Sequence, residues 1–192
     1  MRPFVLTALL VAACGASDAR SELPPSASPT DRFWTLVESA RVGGDGCRLV
    51  SRRLTNTLAK LPPAMIVEFG NELSARMAES YRWDLWAVAY IANGGSSDDG
   101  FDYFRGWLLT RGRARFERAL KDPPAAVAGA SRWGDLECEE MLGVAHVAYE
   151  RVAHAPLPPA SVPWPDKPAG TPWTEETIEQ TYPGMTARVE AR

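Results

Sequence analysis

Histidine is nearly absent from the chain, cysteine is scarce, and positive charge is not in excess: there are two histidines, three cysteines and a net charge of -3. Each shortage closes a route. His146 and His154 stand eight residues apart, without the i, i+4 spacing or the glutamate of a zinc-protease helix, so they read as an ordinary helix residue and a loop residue. No G-x-S-x-G or Walker pattern occurs, which leaves a serine hydrolase or a P-loop enzyme unsupported. The acidic balance lacks the basic stripe that a nucleic-acid surface usually needs, and no nucleic-acid partner is expected. No stretch of strand-like alternation is long enough to use, and no internal repeat appears.

Long apolar runs are missing too. The longest, residues 4–13, is interrupted only by Thr7. Spanning a bilayer takes about 20 apolar residues, so this run suits the core of a signal peptide better than a stable span. Arg2 supplies a minimal positive start. The run ends in Leu10-Val11-Ala12-Ala13-Cys14, small residues before a cysteine, which resembles the site cut by the lipoprotein signal peptidase. The expectation is a leader over 1–13 and an acylated (palmitate-type) Cys14 that holds the protein to a membrane, in the periplasm or at the cell surface. The alternative is a plain secretory leader cut after Ala16, with Cys14 discarded. Residues 14–29 carry Pro24, Pro25 and Pro29 among small polar residues and read as a flexible tether.

What remains is ordinary for a globular body: 45% hydrophobic and 23% charged residues, enough for one domain. Its periodicity is helical. Ser28-Pro29-Thr30-Asp31 offers a cap, a proline at the first helical position and an acid three residues after the cap. Phe33, Val37 and Ala40 follow, and Gly43-Gly44-Asp45-Gly46 stops the helix. Val50, Leu54, Leu58 and Leu61 make a second stripe, and Ile66, Phe69, Leu73 and Met77 a third beyond Pro62-Pro63. Residues 81–91 are apolar nearly all round, as in a helix at the centre of a bundle. Asn93-Gly94-Gly95 ends it. A fifth helix carries Phe101, Phe104, Trp107 and Leu108, and a short basic one follows Gly112. Asp122-Pro123-Pro124 opens a loop. A last long helix is expected from about 135 to 152, with Cys138, Leu142, Ala145, Tyr149 and Val152 on one face. The predicted fold is mainly α: a compact bundle of about six to seven helices over 30–154. A proline-rich tail over 155–192 follows, with one short helix near 174–181. Trp164 and Trp173 in that tail either fold back or face a partner.

The central segment has a recognisable look. It runs Tyr81-Arg82-Trp83-Asp84-Leu85-Trp86, then Asn93-Gly94-Gly95-Ser96-Ser97-Asp98-Asp99-Gly100-Phe101, then Phe104-Arg105-Gly106-Trp107-Leu108. With Asp31-Arg32-Phe33-Trp34 and Glu137-Cys138-Glu139, it resembles the bacterial domain-of-unknown-function family 4240 over roughly residues 30–150. The resemblance implies a compact helical domain and no established activity. The leader is a departure from the family, so a cytoplasmic role does not carry over.

The Gly94–Gly100 turn is the best candidate site. Its structural role would be a cap by Ser97 or Asp98, with first-turn acids offsetting the helix dipole. Its functional role would be a polar pocket walled by Trp83, Trp86 and Trp107. There Asp98 and Asp99 would meet a cation or cationic ligand, with Asp84 and Arg105 beside them. The calcium-hand pattern is lacking, because Leu109 stands where its last acid belongs. No catalytic residue, metal ligand or cofactor is assigned. Cys47 and Cys138 would form a bridge in an oxidising compartment, or Cys138 is a buried core residue. The reading that follows is a non-enzymatic envelope lipoprotein that binds another envelope protein. An immunity-like neutraliser of an incoming toxin is one form of it. The alternative is a small-ligand or metal-dependent enzyme centred on the acidic turn.

Overall fold

A computed structural model describes residues 27–131 and 136–191. Cys14, the leader and nearly all of the tether lie outside the described residues, as does Asp135. The described chain is mainly helical. The elements are α1 (Pro29–Arg41), α2 (Cys47–Leu58), α3 (Pro63–Glu79), α4 (Trp83–Asn93), α5 (Asp98–Thr110), α6 (Arg113–Lys121), α7 (Glu139–Ala153), α8 (Ile178–Thr181) and α9 (Met185–Glu190). Among the described residues none of these helices is long and apolar enough to cross a membrane.

The starts and stops follow local chemistry. Ser28 Oγ accepts from the Asp31 N–H at 3.1 Å, with Pro29 in the first turn of α1. Proline also opens α3. Gly94 closes α4 at φ +71°, a left-handed position that glycine takes without a Cβ clash. The 122–124 stretch does not stay irregular. Pro123–Val127 forms a 3₁₀ turn, held by Arg115, whose guanidinium donates to the Ala126 and Ala128 carbonyls at 3.2 and 2.6 Å.

The stripes of α1, α2 and α3 are buried as their spacing predicts, except Leu61, which lies past the end of α2 and is half-buried. The centre of the bundle, however, is α5 and not α4. Every residue from Phe104 to Thr110 is buried, Arg105 included. α4 buries Leu85, Ala87, Val88 and Ala89, while Trp83, Trp86 and Tyr90 are half-buried. The outer face of α4 is apolar because the tail covers it. Trp173 packs edge-on against Trp83, Trp86 and Tyr90, and its Nε1 donates to the Trp83 carbonyl at 2.7 Å. Arg82 and Ala169 form an isolated parallel bridge. Ile178, Met185 and Val189 complete the core. The tail therefore holds two short helices, not one, and both dock.

The last long helix is also rotated from its expected face. α7 begins at Glu139, with Cys138 just outside it as the capping residue, and its buried residues are Met141, Val144, Ala145 and Ala148. Leu142, Tyr149 and Val152 are half-buried at the edge of that face.

Candidate functional site

The glycine turn resolves into a helix cap. Ser97 Oγ accepts from the Gly100 N–H at 3.1 Å, and Asp98 and Asp99 sit exposed in the first turn of α5. The connection is steadied by Trp86, whose Nε1 donates to the Ser96 carbonyl at 3.0 Å.

The three tryptophans do not wall a pocket around these acids. They belong to a ladder of rings: Trp83 on Trp86 at 5.3 Å, Trp86 on Phe101 at 5.0 Å, Phe101 on Phe104 at 6.4 Å and Phe104 on Trp107 at 5.5 Å. Trp83 and Trp107 are its two ends. Aromatic pairs at such spacings add about 0.5–1.5 kcal/mol beyond their buried area. Trp107 carries the Arg111 guanidinium on its face at 5.6 Å, and Arg111 pairs with Asp45.

Asp84 and Arg105 go to separate structural tasks. Asp84 accepts from Arg82 at 3.0 and 2.5 Å and from the Leu85 N–H at 2.7 Å. Arg82 also donates to the Leu120 carbonyl at 2.9 Å. Arg105 is fully buried. It donates to the Met77 carbonyl at 2.5 Å and pairs with Asp102 one turn earlier. Its guanidinium lies over the rings of Tyr81, Phe101 and Trp164 at 4.8, 4.9 and 5.3 Å. Burial pushes its pKa down, and Asp102 and Tyr81 partly restore it. The cation is thus held by an acid, a carbonyl and aromatic faces.

Cys47 and Cys138 are joined in a disulfide, with Cα atoms 5.5 Å apart. It ties the start of α2 to the residue before α7. At the other end Arg151 donates to Asn56 Oδ1 at 3.1 Å. The two helices therefore run side by side in the same direction, pinned at both ends. Glu140 lies beside the sulfurs. These three residues are the one cluster of three metal-donor side chains among the described residues, and the disulfide removes both thiolates from it.

Between α2 and α7 opens a broad groove of about 820 Å³. Arg48, Arg52 and Arg151 edge it, and Val147 is 41% exposed in it. Arg48 is 94% exposed and pairs with Glu140 at 3.4 Å. Arg52 has no carboxylate partner among the described residues. The disulfide end is acidic. There the Tyr103 hydroxyl is pushed up first by Glu139, then by burial and by Asp99, Asp102 and Glu137. Sequence reasoning passed over this groove because no local motif marks it. Its arginines belong to two helices about 100 residues apart in the chain.

Residues 29–151 match the family described as "Protein of unknown function (DUF4240)". The chain belongs to that family. No curated protein and no solved structure matches it. The DUF4240 span runs from α1 almost to the end of α7, and takes in the aromatic ladder, Arg105 and the disulfide. Trp164 and Trp173, which cover Arg105 and α4, lie beyond the DUF4240 span.

Proposed function

We propose that this DUF4240 chain is an exported, lipid-anchored, non-enzymatic module. Its groove between α2 and α7 docks an acidic amphipathic segment of another envelope protein. The observation that carries the reading is the groove: an exposed apolar centre at Val147 edged by three arginines from two helices. An acidic helix with an apolar stripe would place the stripe on Val147 and its carboxylates on Arg52 and Arg151. Its carboxylates would avoid the Glu139 and Glu140 end. An incoming toxin, in an immunity-like role, is one form such a partner would take.

Two observations support export. The leader-like start places Cys14 after small residues, with a proline-rich tether behind it. The Cys47–Cys138 disulfide suits an oxidising compartment.

The test is photocrosslinking in cells. A crosslinker in place of Val147 should trap one envelope protein, and one in place of Arg118 on α6 should not. Adding Arg52→Glu and Arg151→Glu to the Val147 probe should abolish the product. Capture of the same protein from both positions, or indifference to the charge reversal, would sink the docking reading. Separately, blocking the lipoprotein signal peptidase in cells should leave the leader attached and raise the protein's mass, and an unchanged mass would overturn the anchor.

A further inference from the structure

We infer that the trough between α3 and α7, roofed by the proline-rich strap 157–164, is a binding chamber. Its ligand class is a compact, uncharged, largely apolar molecule bearing one hydrogen-bond donor. The site is separate from the α2/α7 groove and does not depend on the docking reading.

The chamber has a volume of about 230 Å³ and is partly open to solvent. Apolar cavities of about 150 Å³ take up benzene, so this one has room for a substituted ring. Leu73 and Met77 of α3 and Leu142 of α7 supply apolar wall, and Leu157 closes it from the strap. A few convergent polar groups in an apolar pocket are the usual make-up of a small-molecule site. Here Ser74 and Asp102 are those groups, with His146 at the exposed rim.

Charge chooses the ligand. Asp102 Oδ1 accepts from the buried guanidinium of Arg105, so the pair is close to neutral. Asp102 lines the chamber with its side chain 39% exposed, so it keeps capacity to accept a further hydrogen bond. A ligand O–H or N–H can bond there, whereas a second full cation would give up part of its hydration beside a carboxylate already matched by Arg105.

The roof is a separate addition. Walls and floor come from within residues 29–151, the family-matched span, and the strap comes from beyond it. The strap is seated at three points. Leu157 sits over Gly70, where an added Cβ would lie 3.2 Å from it. The Ser161 N–H donates to Asn71 Oδ1 at 2.9 Å. Trp164, 51% exposed, lies against Tyr81 and over Arg105. The family domain alone would leave an open trough. The strap turns it into a chamber, and Trp164 is its outer door.

The experiment is an NMR titration of the ¹⁵N-labelled full chain carrying Cys14→Ser, with p-cresol as the neutral probe and benzylammonium as its cationic counterpart. Cresol should give saturable shifts centred on Gly70, Ser74, Asp102 and the Trp164 indole N–H. Ser74→Leu, which fills the chamber, should weaken cresol at least about tenfold, as should benzylammonium in place of cresol; each is a loss of about 1.4 kcal/mol. Trp164→Ala, on the exposed strap, provides a second variant should Ser74→Leu fail to fold, and should loosen cresol by a similar factor. Asp98→Asn should leave binding unchanged. Non-saturable or scattered shifts would overturn the chamber. So would undiminished binding in a folded Ser74→Leu, or in Trp164→Ala. Benzylammonium binding as tightly as cresol would overturn the ligand class.

Discussion

Arg105 and Gly106 are neighbours that fail in different ways when changed. Arg105→Ala leaves the Met77 carbonyl with Ser80 Oγ alone, at 3.2 Å, and removes the partner of Asp102, so it should cost about 3 kcal/mol in urea unfolding. Arg105→Met keeps much of the stem packing between the rings and should cost less. Gly106 faces the chain just before α7, where an added Cβ would stand 2.5 Å from the Cys138 carbonyl oxygen. Gly106→Ala should therefore cost about 1–3 kcal/mol, the usual penalty of overpacking, read from the same urea curves. The sequence marks both residues as part of one motif but not the reason for either. Arg105 reads as one more charged side chain near an acidic turn. Only the meeting of α3, α5 and the strap shows that it is buried, and that its acid is Asp102 and not Asp98 or Asp99. The same holds for the tryptophans, whose helical spacing places Trp83 and Trp107 on a common core without showing that they end a ladder.

At the scale of elements, local chemistry decides most boundaries. Ser97→Ala should lower stability by about 1 kcal/mol, and Asp98→Asn with Asp99→Asn by less, as followed by thermal melting. α1 adds a pH dependence. Hydrogen bonds from Ser28 and then Arg113 hold Asp31 below its ordinary 3.8. Its contribution to stability is thus complete above the unfolded pKa of about 3.9 and is lost as pH falls through the lower folded value. Urea midpoints between pH 5 and 2 should therefore fall less steeply in Asp31→Asn than in the parent. Caps, prolines and glycines made α1 through α6 readable, because each acts on its own few residues. α7 was readable as a helix but not in its rotation. A stripe that starts at Cys138 begins at a residue tied into the disulfide just outside the helix. Nor could periodicity show that the apolar outer face of α4 belongs to the tail.

For the molecule as a whole, the Cys47–Cys138 bond closes a covalent loop with a sequence separation of 91. The chain-entropy relation gives such a crosslink about 4–5 kcal/mol. Reduction or Cys47→Ser should lower stability by up to that amount. Alkylation of the denatured, unreduced protein should leave Cys47 and Cys138 unlabelled by mass. The fold class and family were legible in the sequence, whereas the pairing of these cysteines was open, since distance along a chain says nothing of distance in space. The docked tail was also open, because proline-rich segments carry no periodicity to read. That tail has an optical consequence. Trp83 and Trp86 stack at 10°, and Trp173 stands edge-on to both at 78° and 83° with every ring centre within 6.5 Å. Three indoles fixed in a skewed array couple their electronic transitions, so the native protein should show a circular-dichroism couplet that changes in shape and size when the third ring leaves. The molecule carries its own dye for the attachment of its C-terminal tail, readable without any label.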